Sequence, residues 1–362
     1  MKILKTLFII SSFILSTYAH AEFDKFNSYQ WNPQSKTPWY EWWYYKIVLP
    51  ETKDSFFFVY GIVNPWDHAK SMGGTRSYVG MGDFGVKNQV ENLFPLNNFH
   101  AAYSQTLIDI AGLSATDQNI KGELTDTDGQ SVSWDISVKK EWAFNAMGWA
   151  IDKNITNIKW YPAQASARCS GTVINKGKLY QFSNAPCYQD RNWGHSFPLW
   201  WTWIVSNHFK NNPDTVLVTG GGRPKYYDTN FPFEGATVGL KHKGVVYHFR
   251  PNDLDNVKVD IKFGKWEVVA NNSSHKVEIS AFAPKEKFMD LQFRTPTGEI
   301  FHDYEALIGE VTVKLYKREF FRWKLIETLY SDVAGIEYGE PSSEKNRAKA
   351  IDKFFKSEKH LQ

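Results

Sequence analysis

The chain has 362 residues, of which 16% are aromatic, and a formal net charge of +3. The near-neutral charge and the lack of a basic block interleaved with aromatic residues argue against a nucleic-acid-binding protein. The length exceeds what a single hydrophobic core usually fills, which predicts two domains. The aromatic content predicts large aromatic cores, an aromatic-lined cavity, or both.

The N-terminus, residues 1–21, has the pattern of a secretory signal peptide. Lys2 and Lys5 precede an apolar run over residues 7–15, and Ala19-His20-Ala21 fits a small-x-small cleavage site. The apolar run is too short for a comfortable membrane span. We therefore expect an exported protein, periplasmic or secreted.

Strand patterns separated by turn residues follow through most of the chain. Asp128-Gly129 is a tight-turn signal, and 107–113 fits either a short helix or a strand. The spacing is typical of antiparallel barrels or sandwiches, so we predict an all-β protein. The predicted strands are 42–49, 56–63, 121–125, 131–138, 200–209, 215–219, 236–241, 245–250, 257–263, 266–270, 276–282, 310–316 and 323–330.

Proline, glycine and turn residues interrupt the strand pattern between Pro186 and Pro198, which predicts a domain boundary there. We divide the chain after the leader into a first β domain, 22–190, and a second β domain, 191–340. Apolar residues at helical spacing among charges predict a short C-terminal helix or tail over 341–362. This segment either packs on its own domain or makes peripheral membrane contact.

The two cysteines, Cys169 and Cys187, flank a predicted hairpin whose turn is Asn175-Lys176-Gly177-Lys178. In an exported protein a lone pair of cysteines usually forms a disulfide. The alternative is two unpaired thiols.

One acid, Glu41, lies in an otherwise aromatic segment, Trp39–Tyr45. Because side chains alternate along a strand, Glu41 should share a face with Trp43 and Tyr45, toward a core or cavity. We expect the other face, which carries Lys46, to be the more solvated. Apolar surroundings raise a carboxyl pKa and make Glu41 a candidate catalytic acid. The alternative is structural, with an arginine or a backbone amide as its partner.

A second candidate site is the polar and aromatic segment 188–198, which we interpret as a turn. Its neighbours in sequence are tryptophans, beside which hydrogen bonds and charges act at reduced dielectric. The alternative is a structural corner in which Asp190 pairs with Arg191 or caps a turn and Trp193 fills a core. The candidate residues are Tyr188, Asp190, Arg191, Asn192, Trp193 and His195, with Trp201 and Trp203 following.

Other segments carry weaker signals. Gly220-Gly221-Gly222 lacks the residues of a phosphate loop, so it predicts a bulge or a close backbone approach. His302-Asp303, placed in a loop after Gly298, is either part of a polar site or an ordinary surface pair. The ten histidines are scattered without a metal-binding motif, and we expect no metal site.

Taken together, these segments resemble the tocopherol cyclase family in matching order from about Trp31 to Gly339. No single motif is decisive, but the ordered set is fairly specific. The segments that carry the resemblance are 38–46, 55–65, 185–198 with the tryptophan-rich strand after it, 218–222, 295–303 and 332–339.

The resemblance implies two lipocalin-like domains and cyclase chemistry without a cofactor. In the family reaction, a proton adds to the prenyl double bond of a hydroquinol, and the phenolic oxygen traps the carbocation to close a chroman ring. Such chemistry suits an acid with a raised pKa, aromatic faces and a dry pocket. Glu41, Asp190 and Asp303 are the acids at matching positions.

We therefore expect a cyclase or related isomerase that acts on a prenyl quinol or terpenoid lipid in an aromatic cavity near the domain junction. Glu41 or Asp190 would donate the proton, while Arg191, Asn192 and His195 orient the substrate. Two alternatives remain: a carrier that binds an apolar ligand without chemistry, and a glycan-binding protein with exposed tryptophan faces. The sequence carries no signal for an oligomeric state.

Overall fold

The computed structural model describes residues 24–66, 74–226, 229 and 234–343. The predicted signal peptide and the C-terminal segment from residue 344 onward lie outside these ranges. Within them the chain forms 21 strands in two antiparallel sheets, joined by short 3₁₀ turns. Among the described residues, no helix has the length and apolar character needed to cross a membrane.

The first sheet has 11 strands. They are β1 (Tyr40–Leu49), β2 (Asp54–Val63), β3 (Arg76–Asp83), β4 (Asn88–Phe94), β5 (Phe99–Ala101), β6 (Leu107–Ile110), β7 (Leu113–Thr116), β8 (Asn119–Thr125), β9 (Ser131–Trp142), β10 (Ile158–Asn175) and β11 (Lys178–Gly194). Their order is β4-β3-β2-β1-β11-β10-β9-β8-β7-β6-β5, and β4 approaches β8 so that the sheet nearly closes.

The second sheet has 10 strands. They are β12 (Trp201–Ser206), β13 (Val216–Gly222), β14 (Gly235–His242), β15 (Val245–Phe249), β16 (Asn256–Lys262), β17 (Lys265–Asn271), β18 (His275–Phe282), β19 (Met289–Arg294), β20 (Ile300–Glu319) and β21 (Arg322–Pro341). Their order is β15-β14-β13-β12-β21-β20-β18-β17-β16, with β19 paired to β20. The 3₁₀ turns are Leu96–Asn98, Gly148–Asp152, Pro251–Asp253 and Lys285–Lys287.

These two nearly closed barrels confirm the predicted all-β class with two lipocalin-like antiparallel units. The predicted boundary after Asp190 falls inside β11, so the first sheet continues to Gly194 before β12 begins. The segment 107–113 is a hairpin of two short strands, β6 and β7, rather than a helix. The predicted disulfide between Cys169 and Cys187 is confirmed, and it joins β10 to β11.

Two predictions about local structure were wrong. The segment from Tyr188 to Gly194 is not a turn but the end of β11, paired on one side with β1 and on the other with β10. His302 and Asp303 lie not in a loop but in β20, which is 20 residues long and pairs with β21. In both places polar residues on a buried strand resembled the composition of a loop.

The alternation along β1 separates two buried environments. Trp43, Tyr45 and Ile47 pack inside the first barrel. The opposite face, with Trp42 and Tyr44, packs against the second sheet. The prediction that the Lys46 face is the more solvated was wrong, since Lys46 is 3% exposed. The second barrel covers this face, so both faces of β1 are interior.

Candidate active site

A cavity of about 630 Å³ lies between the two sheets. The first sheet contributes side chains from β1, β2, β10 and β11, and the second from β12, β13, β14 and β19 to β21. Two 3₁₀ turns, Gly148–Asp152 and Pro251–Asp253, complete the wall. Its aromatic lining consists of Trp42, Tyr44, Trp149, Trp160, Trp200, Trp201, Trp203, Tyr226 and Phe293.

The glycines of β13 allow one of these aromatic walls to form. A Cβ added to Gly220 would lie 2.5 Å from the ring of Trp160, so only glycine leaves room for the indole against the β13 backbone. The predicted close backbone approach at Gly220-Gly221-Gly222 is therefore confirmed. It lets an aromatic face from β10 line the cavity beside β12 and β13.

Asp190 is one of three carboxyl groups on the cavity wall. Its Oδ2 accepts hydrogen bonds from Trp160 Nε1 at 2.7 Å and from the Tyr188 hydroxyl at 2.8 Å, while Trp203 Nε1 donates to that hydroxyl at 3.2 Å. Burial raises the pKa of Asp190 to about 7, and the two donors oppose that shift. Both hydrogen bonds stabilise the carboxylate form of Asp190, and this is the form that can accept a proton.

Asp303 and Glu337 are the other two cavity carboxyls, and they are hydrogen-bonded to each other. Trp201 Nε1 also donates to Asp303 Oδ1 at 3.1 Å. Burial raises the pKa of Asp303 to about 8, and the charges of Asp290 and Asp190 act in the same direction. Burial and the charge of Asp303 also raise the pKa of Glu337. The two acids therefore hold at least one proton near neutral pH.

Beside this pair lies a fourth acid, Glu305, which is fully buried and does not line the cavity. It accepts a hydrogen bond from the hydroxyl of Tyr44, a cavity residue, and its other oxygen, Oε2, is buried without a partner. Burial and the charge of Asp303 raise the pKa of Glu305. Burial lowers the pKa of Lys46 to about 7, opposed by the charge of Glu305. The carboxyls of Asp303, Glu337 and Glu305 all have raised pKa values, so this side of the cavity holds potential proton donors.

Glu41 does not line this cavity. It is fully buried on the other face of β1, where Arg191 donates to it at 2.5 Å, and the Gln30 amide and Trp39 Nε1 donate to it at 3.0 Å. Burial raises the pKa of Glu41 to about 7, opposed chiefly by the charge of Arg191. An arginine and a backbone amide hold Glu41, as in the structural alternative given above.

Six predicted substrate-binding residues, Arg191 among them, are also not part of the cavity lining. Trp43 and Trp193 hold the Arg191 guanidinium between their rings at 4.5 and 4.7 Å. Tyr45 lies in the core of the first barrel. His195 is close to Thr37 and to the Pro38 carbonyl, outside the cavity. Tyr188 reaches the site through its hydrogen bond to Asp190 and does not itself line the wall.

Of the predicted site residues, the cavity brings together Asp190, Asn192, Trp201, Trp203 and Asp303. Sequence reasoning did not select Glu337, Glu305 or Tyr44. A signal existed for two of them. Glu305 follows Asp303 at the period of two of one strand face, and Glu337 lies in the segment 332–339 that carried the family resemblance. Tyr44 was assigned to the face expected to be solvated.

Comparison with known proteins places this architecture in a family. The sequence model described as tocopherol cyclase-like matches residues 85–340, so the segments before residue 85 that contributed to the resemblance lie outside the match. A probable chloroplastic tocopherol cyclase from Oryza sativa subsp. japonica is 24% identical over 359 residues, covering 83% of this chain and 75% of that protein. The chloroplastic tocopherol cyclase of Zea mays is 23% identical over 362 residues, with the same coverage of each chain.

Among solved structures, CghA has a similar fold, with a TM-score of 0.50 at 9% identity, over 89% of this chain and 95% of CghA. The matched region includes the second barrel and the strands that carry Asp190, Asp303 and Glu337. The chain therefore belongs to the tocopherol cyclase-like family.

Proposed function

We propose that the cavity catalyses acid-initiated ring closure of a prenylated hydroquinol, without a cofactor. The observation that carries the proposal is the hydrogen-bonded pair Asp303–Glu337 in a tryptophan-lined cavity. A carboxylic acid that stays protonated near neutral pH can protonate a double bond. Family membership supports a cyclase-like role, and a lipophilic prenyl substrate suits the aromatic lining.

The proposed reaction conserves every atom of the substrate. The Asp303–Glu337 pair transfers a proton to one carbon of the prenyl double bond, and the other carbon becomes a tertiary cation. The phenolic oxygen bonds to that cation and loses its proton to Asp190. Asp190 then releases its proton to solvent and the acid pair takes one up from solvent, so the enzyme is restored and the net change in the substrate is an isomerisation.

The cavity favours these reaction steps for two reasons. The faces of Trp42, Trp201 and Trp203 offer cation–π stabilisation to the intermediate. The mainly apolar lining also limits water, which would otherwise capture the cation. Asp190 accepts two hydrogen bonds that favour its carboxylate, whereas the Asp303–Glu337 pair favours its protonated form. The two walls of the cavity therefore suit opposite roles, base and acid.

The test uses purified protein and a panel of prenyl hydroquinols that differ in chain length, with chroman formation followed by chromatography. We expect turnover with at least one substrate and a loss of about 10²- to 10⁴-fold in Asp303→Asn. Asp214→Asn is the matched control, because Asp214 has the same side chain, is exposed and lies outside the cavity lining. Equal loss in the two variants would contradict the proposal.

The second candidate is a carrier of an apolar lipid, which the largely apolar lining also favours. A carrier has no need of three carboxyls with raised pKa on its wall. The same assay distinguishes the carrier from the cyclase. Tight binding of the hydroquinols without any product, unchanged in Asp303→Asn and Asp190→Asn, supports the carrier and rejects the cyclase. Export through the predicted signal peptide remains our expectation for either function.

A further inference from the structure

The longest hairpin of the second barrel ends in two exposed phenylalanines. Strands β20 and β21 are each 20 residues long, and Phe320 and Phe321 form the loop between them. Phe320 is 95% exposed and Phe321 is 91% exposed. Exposing two adjacent aromatic side chains to water is unfavourable, and a surface that covered them would gain hydrophobic free energy.

Turn chemistry does not account for these residues. Two-residue hairpin loops favour asparagine and glycine, because the first loop position commonly requires a positive φ. Phe320 adopts φ 54°, a left-handed conformation that is uncommon for a bulky aromatic residue. Phe320 therefore occupies this loop against the local backbone preference, which indicates a role outside the fold.

The flanks of the loop are basic. Lys317, Arg318, Arg322 and Lys324 are exposed on the two strands next to it. The nearby acid, Glu319, pairs with Lys324 at 3.0 Å. An aromatic tip ringed by lysine and arginine matches the interface of an anionic bilayer, where aromatic rings enter the headgroup region and cations meet lipid phosphates.

The tip also projects from the barrel. The neighbouring turn between β17 and β18 comes level with Arg318, whose amide donates to the Ser274 carbonyl at 2.8 Å. The loop at Phe320 and Phe321 lies beyond this turn, so a flat surface can meet both rings. A concave partner is not required.

We propose that the hairpin tip Lys317–Lys324 inserts Phe320 and Phe321 into the surface of an anionic lipid bilayer. The tip and the cavity acids lie far apart on β20, since Asp303 and Glu319 are separated by on the order of 50 Å of extended strand. The tip therefore tethers the protein to a membrane and does not place the cavity on it. This inference is independent of the proposed catalysis.

The test is cosedimentation of the full chain with vesicles of equimolar phosphatidylglycerol and phosphatidylcholine, and with vesicles of phosphatidylcholine alone. We expect binding to the anionic vesicles that weakens as salt is raised. Phe320→Ser/Phe321→Ser should reduce the partition coefficient about 30-fold. Arg318→Glu/Arg322→Glu should reduce it on anionic vesicles only. Because all four side chains are exposed, these variants should fold, which a thermal melt checks.

The matched control is Ile174→Ser/Leu179→Ser. These two residues are cross-strand neighbours at the Asn175–Lys178 turn of the first barrel, 41% and 57% exposed and also next to lysines. The control should bind as the parent does. Equal loss in the control, or no binding by the parent chain, would overturn the proposal. So would concentration-dependent self-association without lipid that disappears in Phe320→Ser/Phe321→Ser, since a second copy would then cover the tip.

Discussion

Asp303 and Glu337 share a hydrogen bond across the β20–β21 ladder, on the wall of the cavity between the barrels. Two carboxyl groups in contact at low dielectric cannot both ionise easily, so the pair keeps a proton that an isolated acid would lose. Asp190, from the other sheet, accepts hydrogen bonds from Trp160 and Tyr188, which favour its carboxylate form. This asymmetry assigns acid and base roles to the two sides of the cavity.

The pH dependence of kcat/KM follows from these environments. The pKa of Asp303 is raised to about 8, and the reaction needs the pair protonated, so activity should fall above that pH. The pKa of Asp190 is raised to about 7, and the reaction needs its carboxylate, so activity should fall below that pH. We expect a bell-shaped profile with its maximum between these values. In Asp190→Asn the residual activity should lose its acidic limb, and an unchanged acidic limb would refute the role of Asp190.

The stability of the protein should decrease as pH rises from about 5 to 7. A carboxyl whose pKa is higher in the folded than in the unfolded chain binds more protons when folded, so raising the pH favours unfolding. Asp303, raised from 3.8 to about 8, contributes throughout this window. Asp303→Asn should flatten the slope of the unfolding free energy by about 1 kcal/mol per pH unit, measured by urea titration at several pH values. Parallel slopes in parent and variant would contradict the raised pKa.

Glu41 should act in stability and not in catalysis. Glu41→Gln leaves the buried Arg191 without a charged partner, which should lower the free energy of unfolding by about 3 kcal/mol. The folded variant should keep its turnover number within about twofold, since catalytic losses from removing an acid are far larger. A loss of turnover of the size expected for Asp303→Asn, in protein shown to be folded by circular dichroism, would return Glu41 to the site.

A double variant separates charge from packing at the same place. Glu41→Gln/Arg191→Met removes both charges, and the side-chain oxygen at position 41 can still accept from the Gln30 amide and Trp39 Nε1. Replacements of a buried ion pair that leave no charge behind are often neutral. The double variant should therefore be more stable than Glu41→Gln in the same denaturant titration.

The disulfide should stabilise the first barrel. Cys169 and Cys187 are separated by 18 residues and both are buried. In the chain-entropy model, a loop of this size contributes roughly 3 kcal/mol. Cys169→Ala/Cys187→Ala should lose about that much in guanidinium unfolding, whereas a reducing agent should have no effect on the variant. A variant as stable as the parent would show that the bond does not constrain the unfolded chain.

Much of the fold was predictable, because strand periodicity and turn residues are local signals. The hairpin at Asp128-Gly129 and the disulfide follow from short sequence patterns and occur as predicted. The extent of β20 and β21 was less predictable, since their ends carry polar residues that a single sequence cannot distinguish from a loop. Asp303 illustrates this, because its burial depends on β12 and β21, which are distant in sequence.

The site was harder to predict than the fold. The alternation of side chains along the strand placed Glu41 on one face with Trp43 and Tyr45. It did not reveal that both faces of β1 are covered. Lys46 suggested a solvated face, although the second barrel packs there and Tyr44 bonds with Glu305 across the interface. Which face of a strand meets a cavity depends on the docking of two barrels, and no local pattern encodes that docking.

The most direct measurement of the central claim is the reaction in D₂O, with the product examined by mass spectrometry. A proton delivered by the Asp303–Glu337 pair comes from solvent and ends in a carbon–hydrogen bond that does not exchange. The account predicts a chroman carrying one deuterium on the former prenyl carbon, formed by the parent and by Asp214→Asn but not at a comparable rate by Asp303→Asn. A chroman without carbon-bound deuterium, or equal labelling and rate in Asp303→Asn, would contradict proton transfer from this pair.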